Sequence, residues 1–215
     1  TVQRVYFDHA ATTSMLPQAR AVWLDASDQV GNASSLHTSG RAVRRVVESS
    51  RESIAEDLGI RPSAVIFTGG GTESDNLAIK GMYWARCEQL EKQSLTIVTS
   101  GIEHHAVLDP VLWLREHEGA DVRFVDADAH GRVTPRDIES ALEAGDVALV
   151  SIMWANNEIG AIQPVDEIAL ICRKFDVPFH TDAVQALGQL PLDLRDLDAA
   201  AVTLSSHKIG GPVGI

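Results

Sequence analysis

Lys208 stands where a lysine could act as a nucleophile. It follows an apolar run over residues 199–204, which predicts a buried strand that would deliver the amine to the mouth of a sheet. An amine taken out of water loses part of its proton affinity, and imine formation with a carbonyl group requires that loss. Taken alone, however, a lysine after a strand is more often a solvated surface charge. The other polar residues of the chain decide between these two interpretations.

Three further residues follow predicted strands and could act on a planar heteroaromatic ring. Asp182 ends the strand predicted over residues 177–181, where a carboxylate could keep a ring nitrogen protonated. Gln185 lies in the same turn and could reach the same ring. His104 follows the strand predicted over residues 95–99, where an imidazole could stack on the ring or move a proton. A structural, hydrogen-bonded histidine is the simpler alternative for His104.

A glycine-rich turn over residues 69–71, followed by Thr72, lies between a predicted strand and a predicted helix. Glycines let the backbone approach an anion, and the free N–H groups at a helix start point at it, so this turn suits a phosphate. The turn has neither the Walker lysine nor the dinucleotide glycine spacing. A tight turn without a ligand is an equal alternative.

Histidines also raise the alternative of a divalent metal, bound by some of His104, His105, His180 and Asp182. No compact ligand spacing such as His-Glu-x-x-His is present, and a metal would leave Lys208 without a role. We therefore expect no metal.

A phosphate cradle, a stacking histidine, a ring-nitrogen aspartate and an imine-forming lysine are four demands of one cofactor, pyridoxal phosphate. Their joint presence favours the nucleophile interpretation of Lys208.

The elements that would position these residues alternate between strands and helices. A first helix, predicted from Pro17 to Val30, carries an apolar stripe, and a second ends at Gly59. The alternation predicts an α/β fold with a mainly parallel sheet covered by helices, and ligands collect at the carboxyl ends of such strands. The predicted strands cover residues 64–67, 95–99, 122–125, 147–153, 177–180 and 199–204.

Composition excludes several classes of protein. The formal net charge of -12 argues against a general affinity for nucleic acid. No apolar run reaches the roughly 18 residues that span a bilayer, and no secretion signal is visible, so we expect a cytoplasmic protein with no membrane partner. Cys87 and Cys172 lie in predicted helices among apolar neighbours, which favours packed thiols over a disulfide.

Taken in order, the polar motifs resemble those of the cysteine desulfurases, class V and fold type I pyridoxal-phosphate enzymes that supply sulfur for iron–sulfur cluster assembly. The resemblance covers nearly the whole chain, and the ordered set is far more specific than any single motif. The motifs are Asp8-His9-Ala10-Ala11-Thr12-Thr13, Gly31-Asn32-Ala33-Ser34-Ser35-Leu36-His37, Gly71-Thr72-Glu73-Ser74-Asp75-Asn76, Glu103-His104-His105-Ala106-Val107-Leu108, Asn156-Asn157-Glu158-Ile159-Gly160, His180-Thr181-Asp182-Ala183-Val184-Gln185 and Ser206-His207-Lys208-Ile209-Gly210-Gly211-Pro212.

The resemblance implies a role for each site residue. Lys208 would hold the cofactor as a Schiff base and act as the acid and base at the substrate's alpha carbon. His104 would stack on the ring and move protons. Asp182 would pair with the pyridine nitrogen and Gln185 with the ring hydroxyl, while Asn156 would lie beside that hydroxyl and the substrate carboxylate. The phosphate would be held by Gly71, Thr72, Ser205 and His207.

The same resemblance implies a reaction and partners. L-cysteine would be converted to L-alanine, and its sulfur would pass as an enzyme persulfide to an iron–sulfur scaffold or another acceptor protein. The family also implies a homodimer with its sites near the subunit interface. Residues 1–14 would form an N-terminal segment that packs with a small domain. Residues 15–215 would form the pyridoxal-phosphate-binding large domain, incomplete at its C-terminal end.

The sequence departs from the family pattern in what it lacks. The resemblance places the attacking cysteine, the small C-terminal domain and the arginine that binds the substrate carboxylate beyond Ile215. Neither Cys87 nor Cys172 matches the cysteine loop, so neither is assigned as catalytic. Two alternatives stay open: a related lyase or transferase, such as one that acts on selenocysteine, and a non-catalytic fragment.

Overall fold

The computed structural model describes residues 5–215, so the first four residues of the predicted N-terminal segment lie outside the described part. Five strands form one sheet in the order β2-β1-β3-β4-β5, and every neighbouring pair is parallel. The prediction of a mainly parallel sheet is confirmed. The strands are β1 (Thr96–Ser100), β2 (Asp121–Val125), β3 (Val147–Ser151), β4 (Phe179–Asp182) and β5 (Ala201–Thr203).

Helices alternate with these strands and begin and end at residues of the expected type. Pro17 and Pro135 occupy first helical turns, and the Thr134 side chain accepts a hydrogen bond from the Asp137 N–H. Gly59 and Gly119 end two helices in the left-handed conformation. The helices are α1 (Pro17–Ser27), α2 (Thr38–Leu58), α3 (Gly71–Gln89), α4 (His105–Glu118), α5 (Pro135–Glu143) and α6 (Val165–Lys174).

Both faces of the sheet are covered, which explains why the strands read as continuous apolar runs. Successive side chains of a strand point to opposite faces, and the β1 and β3 registers keep like faces together. Ile97 and Leu149 belong to the core cluster formed with α3 and α4. Val98 and Val150 belong to the cluster formed with α5 and α6. This two-sided burial holds the strand ends rigidly in one row.

The strand order reverses between β1 and β3. The chain leaves β1 for β2 on one side, and it later returns to place β3 on the other side of β1. At such a switch point the loops after neighbouring strands diverge and leave a crevice at the carboxyl edge of the sheet. The segments that follow β1, β3, β4 and β5 meet at this edge, so the fold itself selects where a ligand can bind.

The predicted strand over residues 64–67 is not formed. Pro62–Ala64 is a short 3-10 turn, and residues 65–67 have no strand partner among residues 5–215, although Val65 has extended backbone angles. An apolar groove separates this segment from the edge strand β5. An apolar run favours extended backbone, but a strand also needs a neighbouring strand within hydrogen-bond distance, and the groove removes that neighbour.

The first helix ends earlier than predicted, and its apolar stripe is exposed in this chain. It stops at Ser27 instead of Val30, and Val22 and Trp23 are 70% and 51% exposed. No residue of α1 is buried against the part of the chain that the structure describes. No helix over residues 5–215 has both the length and the apolar character that a bilayer crossing requires.

Candidate active site

A cavity of about 240 Å³ opens at the carboxyl edge of the sheet, at the switch point. Its walls come from the segments after β1, β3, β4 and β5 and from the start of α3. All but one of the predicted site residues line it, the exception being Asn156. The lining residues are Gly71, Thr72, Asp75, His104, Ala106, Met153, Asn157, Asp182, Val184, Gln185, Ser205, His207 and Lys208.

One end of the cavity lies at the start of a helix, where backbone N–H groups suit an anion. Helix α3 begins there at Gly71, so the first N–H groups of the helix have no intrahelical acceptor. Gly70, the residue before the helix, has φ 133° and ψ 178°, which a side chain would forbid. A Cβ on Gly71 would lie 3.1 Å from the Val184 side chain. These glycines bring the backbone close to the cavity, where Ser205 also contributes to the lining.

Lys208 lies in a short 3-10 turn, Ser206–Lys208, that follows β5. Its Nζ donates to the carbonyl oxygen of Ala11 at 2.9 Å and also to that of Ala10. Desolvation lowers the pKa of the Lys208 amine below its ordinary value, while the charges of Asp182 and Asp8 oppose that effect. The lysine is therefore half-buried, positioned by backbone carbonyls and more easily deprotonated than a surface lysine.

The N-terminal segment is hydrogen-bonded to the turn that carries Lys208. Thr13 Oγ1 donates to the His207 carbonyl at 2.8 Å, and Gly210 N donates back to Thr13 Oγ1 at 2.8 Å. The ring of His207 contacts Thr12 Oγ1 at 3.0 Å, and burial lowers the pKa of that imidazole. Residues 10–13 are thus hydrogen-bonded to three residues that line the cavity, Gln185, His207 and Lys208.

Asp182 lies at the end of β4, lines the cavity and is 7% exposed. Burial is the main cause that raises its pKa to about 7, and the charge of Asp75 raises it further. The Val184 N–H, which donates to Oδ1 at 2.9 Å, and the charges of His180 and Lys208 lower it. A carboxylate in this environment has a high affinity for a proton offered from the cavity.

Two more predicted residues lie on the cavity wall with defined hydrogen bonds. His104 caps α4, and its Nδ1 accepts from Ala106 N at 3.1 Å, so a neutral ring carries its proton on Nε2. Gln185 Nε2 donates to the Ala10 carbonyl at 2.8 Å. Within residues 5–215, no group of three or more His, Cys, Asp or Glu side chains is arranged to hold a metal ion.

Asn156 lies behind the cavity wall and Asn157 lines it. The Oδ1 of Asn156 accepts from the N–H groups of Glu158 and Ile159, and its Nδ2 donates to the Ile102 carbonyl at 2.9 Å. Its hydrogen-bonding capacity is therefore used in shaping the loop. Asn157 was missed by the sequence interpretation because two adjacent asparagines give the same signal, and only the fold decides which one turns outward.

A second feature that the sequence did not reveal is a set of buried polar residues behind Asp182. Glu103 accepts from Ser100 Oγ at 2.9 Å and from Met153 N at 3.0 Å. Burial raises the pKa of Glu103 to about 8, and the charges of Asp182 and Asp75 act in the same direction. Asp75 is 1% exposed and lines the cavity floor. At neutral pH the Glu103 side chain is therefore a neutral acid.

The fold and the cavity define a class of protein. The family model for aminotransferase class-V matches residues 5–215, and the chain belongs to that family. Enzymes of this family depend on pyridoxal phosphate. The resemblance seen in the sequence motifs is thereby confirmed for the family, the fold and the cofactor class.

Among curated proteins, the chain is similar to cysteine desulfurases. It is 54% identical over 211 residues to an IscS-like cysteine desulfurase of Mycobacterium tuberculosis, with 98% of this chain and 53% of the relative covered. It is 42% identical over 214 residues to the cysteine desulfurase IscS of Dictyoglomus turgidum, with 99% and 53% covered. The chain thus spans about half the length of the curated relatives it matches.

Solved structures show the same likeness. A NifS-like protein superposes with a TM-score of 0.90 at 37% identity, covering 99% of this chain and 57% of the other. A structure described as SspA in complex with cysteine gives a TM-score of 0.88 at 36% identity, with 97% and 59% covered. The backbone described here therefore agrees closely with part of each of these proteins.

The residues around the cavity fit pyridoxal phosphate. The glycine turn at the start of α3 and the Ser205 hydroxyl offer donors for the phosphate, and Asp182 offers a buried carboxylate for the ring nitrogen. Lys208 supplies the amine. The three groups occupy the wall of one cavity, which is what a cofactor held at three points requires.

The two adjacent asparagines should give different defects. Asn157→Ala removes a cavity side chain, so pyridoxal phosphate should bind about tenfold more weakly with the free energy of unfolding unchanged. Asn156→Ala leaves two N–H groups without an acceptor, so it should lower the free energy of unfolding by about 1–3 kcal/mol. Absorbance titration and urea denaturation measure the two quantities. A weaker cofactor affinity in Asn156→Ala at full stability would contradict this assignment.

Glu103 should make the cofactor-free protein less stable as the pH rises. The folded protein keeps a proton on Glu103 up to about pH 8, whereas the unfolded chain releases it near pH 4.5. The free energy of unfolding should therefore fall between pH 6 and pH 8, by about 2–3 kcal/mol from this group. Glu103→Gln should remove that part of the slope in urea denaturation, and Glu158→Gln, on the surface, should not. Parallel slopes for all three proteins would refute the buried neutral acid.

Proposed function

We propose that this chain forms the cofactor-binding part of a pyridoxal-phosphate-dependent cysteine desulfurase, which converts L-cysteine to L-alanine and transfers the sulfur. One observation supports this proposal most: Lys208, Asp182 and the glycine turn before α3 line a single cavity at the switch point of a parallel sheet. The likeness to proteins named cysteine desulfurase supports the substrate, and the SspA structure was obtained with cysteine.

The residues around the cavity would bind different parts of the cofactor. Gly71, Thr72, Ser205 and His207 would hold the phosphate, Asp182 would hold the ring nitrogen, and Gln185 with Asn156 or Asn157 would lie toward the ring hydroxyl. Asn157 is favoured over Asn156 for this contact because it lines the cavity. When bound, pyridoxal phosphate withdraws electrons from the alpha carbon of an amino acid.

Proton transfer is assigned to Lys208 and His104. Desolvation lowers the pKa of the Lys208 amine, which increases the fraction able to hold the cofactor covalently and to take the proton from the alpha carbon. His104, whose Nδ1 is fixed by the bond from Ala106 N, would cover the ring with its imidazole and exchange a proton through Nε2. The carbonyl groups of Ala10 and Ala11 accept hydrogen bonds from Gln185 and Lys208 and so hold both side chains in place.

The sulfur acceptor on the enzyme is a cysteine outside the described residues. Cys172 is 1% exposed, and burial raises the pKa of its thiol to about 12, so it carries no thiolate at neutral pH. Cys87 does not line the cavity. A thiolate elsewhere in the full-length protein would attack the sulfur of the substrate, leaving alanine and a persulfide that passes to an iron–sulfur scaffold or another acceptor.

Two features of the chain support a homodimer and a cytoplasmic location. Helix α1 exposes the apolar side chains of Val22, Trp23 and Leu24, which a second copy would cover in part. Cys87 and Cys172 are free thiols, as expected in a reducing compartment. The proposed division into an N-terminal segment, residues 1–14, and a large domain, residues 15–215, is supported by the hydrogen bonds that join residues 10–13 to Gln185, His207 and Lys208.

Lys208 should be the residue that fixes the cofactor. After reconstitution with pyridoxal phosphate and reduction with borohydride, mass spectrometry should find the cofactor on the peptide that contains Lys208. Lys208→Ala should lose this label and the visible absorbance. Lys174→Ala, a surface lysine paired with Glu139, should keep both. Label on any other lysine would defeat the assignment.

The full-length protein should release alanine from L-cysteine in the presence of a thiol reductant. Lys208→Ala should lower that rate by at least about 10³-fold, because the cofactor is then neither fixed nor assisted by a base. Alanine measured by chromatography is the readout, and Lys174→Ala is again the control. Turnover of L-selenocysteine with none of L-cysteine would favour the selenocysteine lyase alternative and contradict the proposal.

A further inference from the structure

Four buried polar groups form a layer beneath Asp182 that the proposed reaction does not use. His180 lies on β4 and is completely buried, between Ser151 of β3 and Thr203 of β5. Its Nδ1 lies 2.8 Å from Ser151 Oγ, and its Nε2 lies 3.1 Å from Thr203 Oγ1. Both ring nitrogens are thus held by hydroxyls, so the ring has one fixed orientation.

Asp75 completes this layer from the helix side. It belongs to the first turns of α3, the helix whose start forms the anion-binding turn. Its Oδ1 lies 3.4 Å from His180 Nε2, within ion-pair distance, yet it accepts no hydrogen bond among the described residues. A carboxylate that is 99% buried, lines the cavity and has an unpartnered oxygen is costly unless its charge serves a purpose there.

We propose that Asp75 is a positioning residue: its carboxylate, held beside His180, keeps a proton shared between Asp182 and the ring nitrogen of the bound cofactor. This inference rests on the proposed function, because it assigns Asp182 to the ring nitrogen. Asp75 acts through Asp182 and His180 and need not touch the reacting atoms. Through Asp75, the first turns of α3 would influence the proton on the ring nitrogen.

The physical reason is charge. A carboxylate and a ring nitrogen that share one proton are together neutral, and they become negative when the proton leaves. A second carboxylate nearby makes that loss unfavourable, so the proton is retained to higher pH. The influence of Asp75 on Asp182 is already present without the cofactor, since its charge raises the pKa of Asp182.

The other charged groups near Asp182 do not replace Asp75. Lys208 faces Asp182 across the cavity and favours the loss of the proton, as does His180. Glu103 lies in the loop after β1. Burial raises its pKa to about 8, so its side chain is mostly neutral at neutral pH. Asp75 is therefore the carboxyl group whose influence on the pKa of Asp182 opposes those of Lys208 and His180.

The decisive experiment follows the ring nitrogen directly. The full-length protein is loaded with ¹⁵N-labelled pyridoxal phosphate, and the chemical shift of the ring nitrogen is measured against pH. Asp75→Asn, which keeps the size of the side chain and removes its charge, should lower the pH at which the nitrogen loses its proton by about one unit, a tenfold change in proton affinity. An unchanged titration curve would overturn the proposal.

Thr203→Val separates charge from structural disturbance. It removes the hydroxyl that contacts His180 Nε2 and changes no charge. The pH at which the ring nitrogen of the cofactor loses its proton should therefore stay within about 0.3 units of the wild-type value. A shift as large as that of Asp75→Asn would show that disturbing the layer suffices and would overturn the proposal. If Asn is not tolerated at position 75, Asp75→Ser makes the same charge change in the same measurement.

A second measurement does not depend on the cofactor. In the cofactor-free full-length protein, ¹³C-labelled aspartate carboxyls are titrated, and the Asp182 signal is assigned by its absence in Asp182→Asn. Asp75→Asn should lower the pKa of Asp182 from about 7, and an unchanged value would overturn the electrostatic link. If this link holds while the protein takes up no pyridoxal phosphate, the proposed function fails and the pairing of Asp75 with Asp182 stands.

Discussion

Parallel pairing of the strands is the constraint on which the rest of this structure depends. Because β1, β3, β4 and β5 run in one direction, their carboxyl ends lie along one edge, and each delivers a polar segment to the same place. Parallel strands in turn need helices on both faces, and the two apolar clusters on either side of the sheet meet that need. The switch between β1 and β3 then opens the crevice. The cavity follows from topology before any side chain is considered.

Charge inside the cavity is arranged in opposing pairs along its length. Helix α3 presents free N–H groups at its start and the Asp75 carboxylate only a few residues later, so one helix offers both partial positive charge and an acidic side chain to the cavity. Lys208 lines the same cavity, with burial favouring its neutral form and Asp182 favouring its charged form. An amine poised between two forms can both bond to a carbonyl group and carry a proton.

Much of this could be read from the sequence, and the exceptions have physical causes. Strand ends, helix caps and the residues of the cavity wall carry local signals, which is why the sequence groups Lys208, Asp182 and the glycine turn, and the structure has Lys208, Asp182 and Gly71 in the lining of one cavity. Asn157 and Asp75 depend on which way a side chain turns, and that is decided by packing around loops and helices distant in the chain. The segment over residues 64–67 has the pattern of a strand but lacks a neighbouring strand, since pairing is a non-local property that no run of apolar residues contains.

The contact between the N-terminal segment and Lys208 has a consequence for how the molecule is assembled. Ala11 and Lys208 are 197 residues apart, yet the amine rests on that carbonyl, and Thr13 is bonded to the backbone at His207 and Gly210. Closing so long a loop costs entropy that only the finished sheet can offset, and contacts of this range form late in folding. Ala11 is also synthesised long before Lys208. Its carbonyl therefore cannot accept this hydrogen bond until all five strands have been synthesised. The Lys208 amine reaches this position only after residues 11 and 208 have met, which makes formation of the sheet between them a condition for chemical competence.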